Sequence, residues 1–164
     1  MRKQLVIMPI LALALTSFAN AAIPPRLNAF SEGERLVYGK VVQAFRENKL
    51  PEAIKQRNLL VKNYPMSVHL GNAFYLTGVL EFQKNRYANA VRDFGIVADR
   101  YPLSSKRAAA LLAKAKTYEL LGLRSQAERL LRILVKDYPG SQESQQAWIE
   151  LKTAKAGNNK ATQR

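Results

Sequence analysis

The dipeptide Tyr-Pro occurs three times, at Tyr64-Pro65, Tyr101-Pro102 and Tyr138-Pro139, each copy 37 residues after the last. Other columns keep the same step: Ser67, Ser104 and Ser141 follow the prolines, and Ala53, Ala90 and Ala127 precede them. A fixed period in this range is the mark of a solenoid, whose units bury their apolar faces against their neighbours. The chain therefore reads as an array of like units rather than as a sheet-built enzyme domain.

Within each period the residues spell helix, turn, helix, break. Ser31 with Glu34 three residues on is a capping-box signature and opens the first helix, which carries Leu36, Val37, Val41, Val42 and Phe45. Asn48, Asn85 and Gly122 share one column, and all three residue types accept the left-handed conformation that ends helices. Pro51 suits the first turn of the next helix. Ser67 and Ser104 are expected to cap the first helices of the second and third units. A last helix is expected from Ser141, apolar at Ala147, Trp148, Ile149 and Leu151 and polar at Gln142, Glu143, Gln145 and Gln146, as a solenoid's terminal cap should be.

The start of the chain reads as an address. Arg2 and Lys3 precede an apolar run from Leu5 to Leu15, and Ala19-Asn20-Ala21 supplies the small-x-small pattern of a signal-peptidase site. The expected organisation is a signal peptide over 1–21, cleaved after Ala21, and an extended leader over 22–30 containing Pro24-Pro25. The competing reading, an uncleaved anchor, is disfavoured because a membrane span needs about 20 apolar residues. The repeat domain then covers 31–156, with units at about 31–66, 67–103 and 104–140 and a capping helix at 141–155. A polar, flexible tail is expected over 157–164. The mature chain is expected to be periplasmic or secreted, and it holds no cysteine for lipid attachment.

The small residue, apolar residue and proline of each period resemble the tetratricopeptide repeat. Ala90, Phe94 and Pro102 match that pattern, as do Ala127, Leu131 and Pro139. In the first unit Ala53 and Pro65 match, while Arg57 replaces the apolar residue. The small residue of the first helix is met by Gly78 and Ala115, and Val41 is larger. A step of 37 rather than about 34, with Tyr-Pro-x-Ser breaks, resembles the branch that includes exported bacterial proteins such as the Tol-Pal accessory protein and the barrel-assembly lipoprotein scaffold. The resemblance implies an all-α, right-handed superhelix of three helix-turn-helix units plus a C-terminal capping helix. Ala90 and Gly78 are expected to face each other across a close helix pair.

In that family the first helices of successive units line a concave groove that takes a peptide or helix. Carried across, the groove positions are Arg35, Tyr38, Val42 and Phe45; Asn72, Tyr75, Val79 and Phe82; and Ala109, Leu112, Lys116 and Glu119. Aromatic anchors in a concavity are common binding chemistry. The alternative is that these aromatics pack between units. A second candidate surface is basic. Arg129, Arg132 and Lys136 form one stripe of the last repeat helix, expected on the convex side. Lys106 and Arg107 stand in a helix's first turn, where cations are disfavoured unless an anion binds beside Ser104. The other reading of both is a solvated face.

The charge of +14, or +12 without Arg2 and Lys3, favours acidic partners. Those could be proteins, anionic lipid head groups or phosphorylated polymers. No nucleic-acid motif appears, and none is expected as a partner. Zero cysteines and one histidine, His69, leave little for metal or nucleophile chemistry, and no cofactor is expected. His69 reads as a surface or capping residue. Glu81, Asp93 and Asp99 read as surface acids rather than a convergent pair. The expectation is thus a non-enzymatic exported scaffold binding a partner segment in its groove, as part of a bacterial cell-envelope assembly. The alternative is a periplasmic chaperone or adaptor holding anionic envelope material on its basic face.

Overall fold

The computed structural model describes residues 31–162, with side chains described through Ala154. The expected signal peptide and leader, residues 1–30, lie outside the described residues, as do the last two. Seven helices and no strand occur among the described residues: α1 (Glu32–Arg46), α2 (Leu50–Asn63), α3 (Leu70–Gln83), α4 (Tyr87–Arg100), α5 (Arg107–Leu120), α6 (Arg124–Asp137) and α7 (Gln142–Thr162). The fold is an all-α solenoid of the tetratricopeptide kind. The last helix is longer than its sequence suggested, running past 155 and Gly157 to Thr162.

The turn inside each unit is set by one left-handed residue: Asn48 (φ 55°), Asn85 (φ 59°) and Gly122 (φ 73°). In each, the next amide reaches back five residues, Lys49 N to Ala44 O, Arg86 N to Glu81 O and Leu123 N to Tyr118 O. This bond satisfies a carbonyl the helix end would otherwise leave open, the Schellman arrangement. Asn tolerates the conformation because its short polar side chain bonds locally; Gly does so because it has no Cβ.

The break between units is the Tyr-Pro-x-Ser segment, and its geometry also repeats. Tyr64, Tyr101 and Tyr138 end α2, α4 and α6, and the following proline cannot continue a helix. Their carbonyls accept from the Ser67, Ser104 and Ser141 amides at 2.9–3.1 Å. Ser31 caps α1 as expected, its Oγ accepting from Glu34 N at 3.1 Å. Ser67 and Ser104 act one turn earlier than expected: they hold the lead-in turn by accepting from His69 N and Lys106 N, and α3 and α5 begin only at Leu70 and Arg107. Each tyrosine folds back onto the first helix of its own unit. Tyr64 lies over Gly33, Tyr101 stacks on Phe74 at 6.0 Å, and the Arg107 guanidinium donates to the Tyr138 hydroxyl at 2.7 Å.

Helices pack in order, each against the next, and the first helices α1, α3, α5 and α7 also touch in succession. No such close backbone approach joins α2, α4 and α6. The first helices are therefore crowded together on the inner, concave layer, and the second helices splay apart on the outer one. Buried Ala53, Ala90 and Ala127 let the layers approach, and Leu60, Val97 and Leu134 fill the space between. The nearest neighbour of Gly78 is the Phe94 ring: a Cβ added at Gly78 would fall 2.8 Å from that ring.

Candidate partner-binding groove

The inner layer is where a partner segment would lie, and its residues divide into those packed away and those still open. Tyr38 belongs to the fold: its ring stacks on His69 at 4.2 Å, its hydroxyl bonds the Asn72 amide, and it packs on the core of units one and two. His69 is thus the residue that starts α3 and a stacking partner. Phe82 sits edge-on to Tyr87 at 5.7 Å, Phe82 and Val79 both pack against the cluster that holds Phe74 and Phe94, and Phe45 covers the Leu50–Leu80 cluster. Val42 is half-buried and Arg35 is exposed on α1.

The groove positions that come together are those of units two and three. Tyr75, Ala109, Leu112, Ala113 and Lys116 line a cleft of about 270 Å³, closed on its far side by Gln142, Glu143 and Gln146 of α7. Three first helices, α3, α5 and α7, build it. Helical spacing explains the set: 109, 112, 113 and 116 are one stripe of α5. Tyr75 leans on Phe94 at 5.9 Å, and the Lys106 ammonium lies 5.8 Å from its ring centroid. Burial, and then the Glu143 carboxylate, hold the Tyr75 hydroxyl above the usual tyrosine range. Lys116 pairs with Glu150 at 3.8 Å, and burial holds that carboxyl above its usual range despite the lysine. Glu119 is exposed, at the end of the stripe. The cleft has an apolar floor with amide and charged walls, and α7 supplies the glutamines of its far side.

The basic candidates separate as well. Arg129, Arg132 and Lys136 are exposed on α6, in the outer layer, and Arg132 pairs with Glu128 at 3.5 Å. Arg107 is not poised for an anion. Its guanidinium donates to the Ala98 carbonyl at the end of α4 and to Tyr138, so it ties two units together.

A buried polar network was not foreseen. Arg57, in the apolar column of Phe94 and Leu131, reaches from α2 into the second unit, where it pairs with Asp93 on α4. Its Nη1 donates to Thr77 Oγ1 at 2.8 Å, Thr77 and Asp93 hydrogen-bond at 2.6 Å, and the guanidinium stacks 4.7 Å from the Phe74 centroid. Glu81 is buried nearby with one carboxylate oxygen unpartnered. The sequence reading of Glu81 and Asp93 as surface acids is therefore wrong; only Asp99 is exposed. Burial, then repulsion from Asp93, pushes Glu81 up to about 7, against the pull of Arg57, Arg92 and Arg86. Burial likewise raises Asp93, opposed chiefly by Arg57. The signal was present in the sequence as two opposite charges, Arg57 and Asp93, in columns that hold Leu131 and Leu130 in the third unit.

Among the described residues no group of three or more His, Cys, Asp or Glu is placed to hold a metal ion, and no helix is long and apolar enough to cross a membrane. No curated protein matches the chain. The family model for the tetratricopeptide repeat matches residues 72–104 and 109–141. The first unit, where Arg57 stands in the apolar column, lies outside both matches. Two tandem matches, on units whose turns, breaks and small-residue columns recur in three dimensions, support the tetratricopeptide-repeat family for this chain and, with it, a protein-binding scaffold in general.

Proposed function

We propose that this protein is an exported, non-enzymatic scaffold that holds a partner segment in the concave cleft between α3, α5 and α7, within a bacterial cell-envelope assembly. The observation that carries this reading is the convergence of Tyr75, Leu112 and Lys116 on one open cleft of the inner layer. The apolar floor suits one or two anchor side chains of a helix or extended peptide, and the glutamines opposite offer hydrogen bonds to its backbone. Export rests on Arg2, Lys3, the apolar run to Leu15 and Ala19-Asn20-Ala21. The resemblance to exported tetratricopeptide proteins, through the step of 37 and the Tyr-Pro-x-Ser breaks, favours the envelope.

The test fills the cleft without removing a packing residue. Ala109→Gln with Ala113→Gln keeps Tyr75 and Leu112 in place while occupying the space above them. Crosslinked complexes captured by the natural chain should be lost with this variant, at unchanged helix content by circular dichroism. Their survival would refute the cleft as the site.

The second reading is an adaptor holding anionic envelope material on Arg129, Arg132 and Lys136, all exposed on the outer layer. Binding by this face should weaken steeply with salt and ignore the cleft-filling variant.

A further inference from the structure

Two carboxylates and one guanidinium are buried where the first unit meets the second. Glu81 on α3 and Asp93 on α4 each retain only 4% exposure. Arg57 crosses from α2 to reach Asp93, and its donors are already committed. Its Nη1 serves Asp93 and Thr77, and its Nε and Nη2 donate to Asn58 at 3.3 and 3.2 Å. Glu81 receives none of these bonds, and its Oε2 is buried with no hydrogen-bond partner. The other cations acting on it, Arg86 in the turn before α4 and Arg92 on α4, are exposed, and Arg92 donates to Asn89 at 3.2 Å. On the α1 side, the neighbouring Leu80 packs with apolar Ala44 and Phe45. An ionised Glu81 is therefore a second buried carboxylate beside a guanidinium that Asp93 already holds, and a buried charge without its own partner is costly.

We propose that this cluster is a proton-operated joint: with Glu81 protonated the first unit is clasped to the second, and with Glu81 ionised α1 and α2 open from α3 as one body. Three features place the opening there. Among the described helices, α1 and α2 approach the backbone of the later units only at α3, so they can part from it without disturbing the third unit. A terminal unit of a solenoid has a neighbour on one side only and can open alone. Arg57 is the link from α2 to α4, and it ends on the carboxylate that an ionised Glu81 repels. The next joint supplies the contrast. Phe94, Tyr118 and Leu130 stand one period after Arg57, Glu81 and Asp93, so that joint has neither carboxylate nor cation in these columns.

The direction follows from where the proton is held more tightly. Burial, then repulsion from Asp93, raises the Glu81 carboxyl from 4.5 to about 7 in the closed joint, and opening returns it to water. The clasp is at full strength below about pH 4.5, weakens as pH rises, and has lost this contribution once pH passes about 7.

Hydrogen–deuterium exchange of the full chain, corrected for the chemical rate at each pH, reads the opening directly. At pH 7, α1 and α2 should exchange faster than α5 and α6. Their opening should increase by about tenfold or more between about pH 5 and 7 and level off above. Glu81→Gln, nearly the same shape without the charge, should remove most of that rise. Asp93→Asn takes away the repulsion and should move the upper end of the rise to lower pH. The proposal is overturned by a rise that survives Glu81→Gln or an upper end that Asp93→Asn leaves in place. Opening of α1 and α2 no faster than that of α5 and α6 would overturn it too.

Discussion

Removing the Asp93 carboxylate should destabilise this solenoid at its middle. Asp93 and Arg57 retain only 6% and 11% of their side-chain exposure, and together they join the first unit to the second. Asp93→Ala strands a guanidinium in that setting, and breaking a buried pair from one side costs about 3–5 kcal/mol. The lower end is expected, because Arg57 keeps its bond to Thr77 and its place over Phe74. Replacing both charges is a different perturbation. Arg57→Leu with Asp93→Leu installs the residues of the third unit, Leu131 and Leu130, which pack in a buried cluster there. Thr77 remains satisfied by the Ala73 and Phe74 carbonyls at 3.3 and 3.1 Å. The double variant should therefore recover most of the loss, or gain stability, as charge-to-apolar replacements of buried pairs often do. Urea unfolding of the natural chain, both single variants and the double completes the cycle. A loss under about 1 kcal/mol for Asp93→Ala, or a double variant as unstable as the two singles summed, would refute the reasoning.

Three further outcomes follow from the same packing. Glu81, raised to about 7 from 4.5, holds its proton more tightly folded than unfolded. Its contribution to stability is thus full below about pH 4.5 and lost as pH rises through about 7. Asp93, raised in the same direction, adds to that slope. Glu81→Gln should flatten the fall in Tm between about pH 4.5 and 7; an unchanged slope would exclude Glu81 as its source. Gly78→Ala should destabilise by about 1–3 kcal/mol, because the new methyl meets the Phe94 ring, and the loss should shrink in a Phe94→Leu background. Equal losses in both backgrounds would contradict that contact. Asn85→Val should lose about 1–2 kcal/mol at φ 59°, a loss that Asn85→Gly avoids; thermal unfolding distinguishes the two.

The solenoid was legible because its determinants are local and repeated. Asn48, Asn85 and Gly122 fix the turn inside each unit wherever the rest of the chain lies, and the prolines stop the second helices. The groove was less legible, because a half-buried aromatic on the inner layer can face either a partner or the next unit. Periodicity places Tyr38 and Tyr75 in equivalent columns, yet Tyr38 is taken by His69 and Asn72, while Tyr75 borders the cleft. Those differences depend on which side chains the neighbouring units offer, a non-local fact. The Arg57–Asp93 pair was hidden for the same reason: the two residues are 36 apart in sequence and meet only once α2, α3 and α4 have packed. The polar far wall of the cleft came from α7, whose glutamines read from the sequence as merely the solvated side of a cap.

The most direct test of the cleft is site-specific photo-crosslinking in cells that make the full chain. A photoreactive side chain would be placed at Ala109, inside the cleft, and in a parallel strain at Arg129, on the outer layer. Irradiation should yield a discrete protein adduct from position 109 and none of the same mass from position 129. An adduct that forms equally from both positions, or from 129 alone, would contradict a scaffold that works through its concave face.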